Sequence, residues 1–139
     1  MGDRTRIEWA EATWNPVVGC TKVSPGCAYC YAERIMSRRG WPRFRPDTAR
    51  VQLMPHRLME PLRWARPRLV FTCSMADLFH ELVPDDYILQ VFRVMQEADH
   101  HIFQVLTKRV ERLATFSRRL GCLPRNVWVG VSAENQTWA

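Results

Sequence analysis

The sequence predicts an α/β fold built on parallel strands, and three observations predict it. Compact apolar runs suited to buried strands stand at 68–73, 101–106 and 127–131. Segments whose apolar residues recur at helical spacing lie between them. The connections are a few residues long, and strands that alternate with helices through short loops pair in parallel with right-handed crossovers.

From 6 to 18 the apolar residues Ile7, Trp9, Trp14, Val17 and Val18 are broken by Asn15-Pro16, which predicts a short strand or an extended lead-in. The stretch 19–27 holds two glycines and a proline and predicts a loop, the core of a cysteine loop spanning 19–31. Tyr31, Ala32, Ile35 and Met36 give helical spacing over 28–39, stopped by Gly40 and Trp41-Pro42. An Arg- and Pro-rich connection over 41–50 precedes a helix expected around 53–64, which Pro61 must interrupt or restart. The strand at 68–73 runs into a loop at 74–77. After Pro84, with Asp85 or Asp86 as the cap, Ile88, Leu89, Val91, Phe92 and Met95 form the clearest helix stripe. The strand at 101–106 is followed by Thr107 as a cap and by a helix carrying Val110, Leu113, Phe116 and Leu120 to a stop at Gly121. The strand at 127–131 ends in a polar loop, 132–135.

At 139 residues, 47% apolar and 24% charged, the chain predicts one ordered domain. A sheet of about four parallel strands that ends on a strand has uncovered edges. The expectation is therefore a single partial (β/α)-barrel domain over 1–139, truncated or one half of a barrel. Ligands sit beyond the carboxyl ends of parallel strands, which selects four loops for one site: 20–30, 74–77, 107–109 and 132–135.

Composition narrows the partners. The longest apolar stretches, such as Leu69-Val70-Phe71, fall far short of the ~20 residues of a membrane span, and Met1-Gly2-Asp3-Arg4 leads into no apolar signal core. A cytoplasmic protein without a membrane partner is expected. Twenty basic residues against 14 acidic ones give a net charge of +6, and nearly all the basic ones are Arg. Arg34, Arg38, Arg39, Arg43, Arg45 and Arg50 crowd one segment, where guanidinium groups can grip phosphates; the plainer reading is a solvated face. Nucleic acid is thus a candidate partner, and Trp41 in that segment can stack on a base.

Five cysteines, an odd number without a secretion signal, argue against a disulfide framework. Cys20, Cys27 and Cys30 form C-x6-C-x2-C on a glycine-bearing loop ahead of a helix, a donor set able to wrap one inorganic centre. Two metals compete. Structural zinc wants four protein ligands, and only folding can bring Cys73, His56 or His80 in as the fourth. A 4Fe-4S cluster held by three thiolates leaves one iron open to a substrate or cofactor. Cys73 and Cys122 read as small buried hydrophobes, and the Trp residues mostly as core. His100-His101 is discounted as a metal pair, because neighbours on a strand face opposite ways.

Cys27-Ala28-Tyr29-Cys30 resembles the C-x-aromatic-C end of the radical S-adenosylmethionine cluster loop, although the first gap is six residues where that family usually has three. A closer resemblance spans almost the whole chain. Ile7-Glu8-Trp9, the stretches 12–16 and 19–27, Tyr29-Cys30-Tyr31-Ala32-Glu33-Arg34, Ser74-Met75-Ala76-Asp77-Leu78-Phe79, Leu106-Thr107-Lys108-Arg109 and the stretch 130–135 carry it. Together they resemble the amino-terminal part of a phage and prophage family labelled gene products thirty-seven and sixty-eight, usually grouped with radical S-adenosylmethionine-like proteins.

The resemblance implies a partial (β/α) barrel in which Cys20, Cys27 and Cys30 ligate a 4Fe-4S cluster and the open iron takes S-adenosylmethionine. Tyr29 would pack near the cofactor's adenine. Ser74 and Asp77 would steady its amino group, Lys108 or Arg109 its carboxylate, and Ser132, Glu134 and Asn135 its ribose. A cluster reductant would be required, and cleavage of the sulfonium would release a hydrogen-abstracting radical. A zinc-stapled nucleic-acid-binding module without catalysis is the alternative, as is an inactive truncated remnant. Asp77 read without the resemblance is a cap or turn residue, and Lys108-Arg109 the start of a solvated helix.

Overall fold

A computed structural model describes residues 5–41, 44 and 50–133. In chain order the elements are β1 (Ala12–Trp14), β2 (Val17–Val18), α1 (Tyr31–Arg38), β3 (Gln52–Leu53), α2 (Glu60–Arg63), β4 (Leu69–Thr72), α3 (Asp85–Glu97), β5 (Ile102–Thr107), α4 (Val110–Leu120) and β6 (Val127–Val131). The mixed α/β class is as expected. Strands β1, β4, β5 and β6 make one sheet in that order, each pair parallel.

Alternation along the strands sorts the side chains. In register, Ala12, Val70, Phe103 and Val127 stand in one row and Trp14, Thr72, Val105 and Val129 in the next, all on one face. The stripe of α3, Ile88, Val91, Phe92 and Met95, packs there with Phe116 of α4. Burying each such side chain contributes about 1.5–3 kcal/mol. The opposite face carries Thr13, Phe71, Gln104 and Trp128 in one row. Trp9 meets Phe71 edge-on at 4.5 Å, and Trp128 is 56% exposed. A smaller core of Val18, Ala32, Met36, Phe44 and Met75 seats α1.

Several local expectations are corrected. No continuous helix occupies 53–64: β3 pairs antiparallel with β2, a 3-10 turn follows at Pro55–Arg57, and α2 is one turn with Pro61 in its first turn. The proline is tolerated there because a first-turn N–H has no helical partner. Asp85 and Asp86 lie inside the first turn of α3 rather than capping it, where their charge favours the helix dipole, and Asp85 also pairs with Arg112 and Arg119. Thr107 ends β5 instead of capping α4, its hydroxyl accepting the Arg109 N–H at 3.0 Å. Cys122 is exposed, as are Trp9, Trp128 and Val110, whereas Cys73 and Trp14 are buried as expected.

His100 and His101 precede β5, so strand alternation does not separate them; their rings lie 3.9 Å apart and each is spent on a carbonyl, Trp64 and Pro61 respectively. His101 is fully buried. Its Nδ1 accepts the Arg68 N–H at 3.2 Å, so the neutral ring carries its proton on Nε2 and donates to Pro61. Burial, with the charges of His100 and Arg68, holds its pKa below the ordinary value against the Pro61 bond. A depressed folded pKa means the unfolded chain takes up the proton first. The stabilisation is therefore present above the unfolded pKa of about 6.5 and is lost as pH falls through the folded value. Urea midpoints should drop between about pH 7.5 and about pH 5.5, and His101→Gln should shrink that drop. An equal drop in the variant would refute the assignment.

Candidate functional site

The cysteine loop begins at Gly19, whose φ is +89° and where a β-carbon would come within 1.7 Å of the Arg50 carbonyl oxygen, so only glycine fits. Its N–H donates to Met75 O at 3.0 Å, pinning the loop to the segment after β4. Asn15, at the β1–β2 break, holds that segment from the other side: its amide exchanges bonds with the Ser74 hydroxyl and accepts the Met75 N–H. The loop then passes Thr21, which pairs with the buried His80 at 2.7 Å. His80 Nδ1 accepts the Leu82 N–H, so a neutral ring donates from Nε2 to Thr21. Pro25–Tyr29 form a 3-10 turn, and Cys30 sits at the start of α1.

All three loop thiols line one cavity of about 310 Å³. Ser74 and Asp77 after β4, Thr107, Lys108 and Arg109 at the end of β5, and Ser132 after β6 line it too, with Trp9 and Phe71 as an apolar wall. Four loops at the carboxyl ends of the strands thus meet at one place. The volume suits a small-molecule ligand.

Beneath the cavity lies a buried charge network. Asp77 Oδ1 accepts from Phe79 N at 3.0 Å and Thr107 Oγ1 at 2.7 Å. Its Oδ2 accepts from Lys108 N at 3.1 Å and Arg109 Nη1 at 3.1 Å. Four donors fill about the four lone-pair positions a carboxylate has. Arg109 also reaches Glu81 at 2.9 Å, Thr21 O at 3.3 Å and Cys20 Sγ at 3.7 Å. Burial pushes the Cys20 thiol up to about 11, against the pull of Arg109. Cys27 is held below the ordinary thiol value: burial opposes this, but bonds from Val23 and Ser24 and the charge of Lys108 outweigh it. Lys108 Nζ donates to Ser24 of the cysteine loop at 3.0 Å.

A family model described as Protein of unknown function (DUF5131) matches residues 4–139. The chain belongs to the DUF5131 family. No curated protein and no solved structure matches it.

The sequence-predicted residues of this DUF5131 chain fall into three groups. Cys20, Cys27, Cys30, Ser74, Asp77, Lys108, Arg109 and Ser132 share the cavity. Tyr29 does not: it is 86% exposed and opens onto a second groove. Glu134 and Asn135 lie outside the described residues, as do Arg43 and Arg45. Asp77 is a turn residue through Phe79 and an anchor for Arg109 at once, which leaves no lone pair facing an ammonium. Arg109 is buried rather than the solvated start of α4, with four of its five N–H groups engaged.

From the sequence, His80, Glu81 and Phe71 carry no site role beyond His80 as a metal candidate. Asn15 and Trp9 stand in segments that carry the resemblance, but neither has a role in the site there. Of the fourth zinc ligands considered, His56 is exposed on the 3-10 turn and both ring nitrogens of His80 are engaged, whereas Cys73 lines the cavity. Among the described residues no three His, Cys, Asp or Glu side chains converge as ligands of one ion, and no helix is long and apolar enough to cross a membrane.

Proposed function

We propose that this chain is a cytoplasmic iron–sulfur protein of the radical S-adenosylmethionine type, related to phage and prophage proteins, whose sheet is part of a (β/α) barrel. What carries the reading is the three thiols of C-x6-C-x2-C lining one cavity with the residues that follow β4, β5 and β6. Further support is that both long helices pack on one sheet face, as they do around a barrel. Lys108 near Cys27, with the bonds from Val23 and Ser24, favours the thiolate form that ligation needs at that position.

Cys20, Cys27 and Cys30 would hold the cluster. When bound, the cluster and S-adenosylmethionine would supply one-electron chemistry that takes a hydrogen atom from a substrate. The residues of the chain would bind and orient. Lys108 and Ser132 line the cavity; Lys108 would pair with the cofactor's carboxylate and Ser132 would bond a ribose hydroxyl. Asp77 is a positioning residue that fixes Thr107, Lys108 and Arg109, and Trp9 with Phe71 gives the cavity an apolar wall.

Anaerobic purification followed by iron, sulfide and zinc analysis tests this. About four irons and a broad brown absorbance are expected, with 5′-deoxyadenosine formed on adding dithionite and S-adenosylmethionine. The zinc reading rests on Cys73 as fourth thiol in the same cavity. One zinc and no colour would establish it and overturn the radical reading.

A further inference from the structure

Tyr29 is turned away from the cavity, and what surrounds it suggests why. A second groove, about 410 Å³, is lined by Tyr29, Cys30, Glu33, Arg34, Ser37 and Arg38. Arg34 and Arg38 are exposed and one turn apart on α1, so they stand on one helix face, where like charges cost a few tenths of a kcal/mol. Glu33, the only acidic residue of α1, is buried: it pairs with Lys22 at 2.9 Å and accepts the Phe44 N–H at 3.0 Å. The groove therefore presents two cations and an exposed aromatic ring. Cys30 lines both this groove and the cavity, so the two adjoin at one thiol.

We propose that the groove binds single-stranded nucleic acid, a base stacking on Tyr29 and neighbouring phosphates engaging Arg34 and Arg38. A helix-turn spacing lets two guanidinium groups take successive phosphates. A base supplies the planar face that an 86% exposed Tyr lacks. An acidic peptide would satisfy the arginines and leave the ring bare. Binding stands on the groove alone; that the bound strand is the substrate rests on the radical reading above.

Fluorescence anisotropy of the anaerobically purified protein with labelled DNA and RNA strands of about twelve nucleotides tests it. Arg34→Ala with Arg38→Ala should weaken binding at least about tenfold and flatten the salt slope by roughly 1.4. Tyr29→Ala should weaken it about tenfold with the salt slope unchanged, and Tyr29→Phe should bind as the native chain does. Iron content should be the same in all of them. Binding neither strand, indifference to these substitutions, or equal binding of a polyglutamate peptide would overturn the inference. A colourless protein that still binds in the expected pattern would support the groove while removing only the radical chemistry.

Discussion

Replacing Cys27 by alanine is expected to abolish cluster binding, iron falling from about four per chain to a trace, and 5′-deoxyadenosine formation with it. Cys27 has the lowered thiol pKa of the loop, with Lys108 and the Val23 and Ser24 bonds favouring its anion. It is held in the 3-10 turn of Pro25–Tyr29. Two remaining thiolates cannot retain a cube that three hold. Cys122→Ala is the matched control, since that thiol is exposed beyond α4 and turned to the Leu123 carbonyl. Iron and sulfide content should distinguish the two variants before any turnover is measured. Unchanged product yield in Cys27→Ala would show that the activity belongs to a contaminant.

Asp77→Asn should be the most destabilising single substitution near the site, at about 2–3 kcal/mol, because it leaves the buried Arg109 guanidinium with only the exposed Glu81 carboxylate as its anion. Both side chains are under a tenth exposed, so solvent does little to screen the loss. The asparagine amide would also turn a donor toward the N–H groups of Phe79, Lys108 or Arg109 that now meet an acceptor. A fall in melting temperature on the order of 10 °C follows for a chain of this size. Adding Arg109→Met to Asp77→Asn should recover part of it, since the buried, only partly compensated charge is then gone. A loss within about 1 kcal/mol would mean that the pair is not closed in solution.

The two predictions depend on the sequence to different degrees. Cys20, Cys27 and Cys30 are close along the chain, so their spacing already marks them as one donor set. The four strands were legible for a similar reason: Val70, Phe71, Phe103 and Val105 belong to runs whose character is set by neighbours a few residues away. The stretch 53–64 was misread because Pro61 and Leu58 suit either a helix or a chain of turns, and the choice was made by β2 across from β3. Asp77 was open to two readings because a carboxylate looks equally ready for a cofactor amine or for a guanidinium, and only the fold showed which of the chain's own donors arrive.

By itself, then, the order of residues determined the class of fold, the thiol triplet and the loops from which a site would be built. Tertiary structure alone decided that Tyr29 faces outward, that Asp77 and Arg109 neutralise each other below the cavity, and that Asn15 and His80 clamp the loops above it. The division is physical. Backbone periodicity and ligand spacing are local and survive in a string of letters. The satisfaction of a buried charge or hydrogen bond depends on partners 30 to 90 positions away, such as Arg109 against Asp77 and Cys20, and those meet only when the sheet assembles.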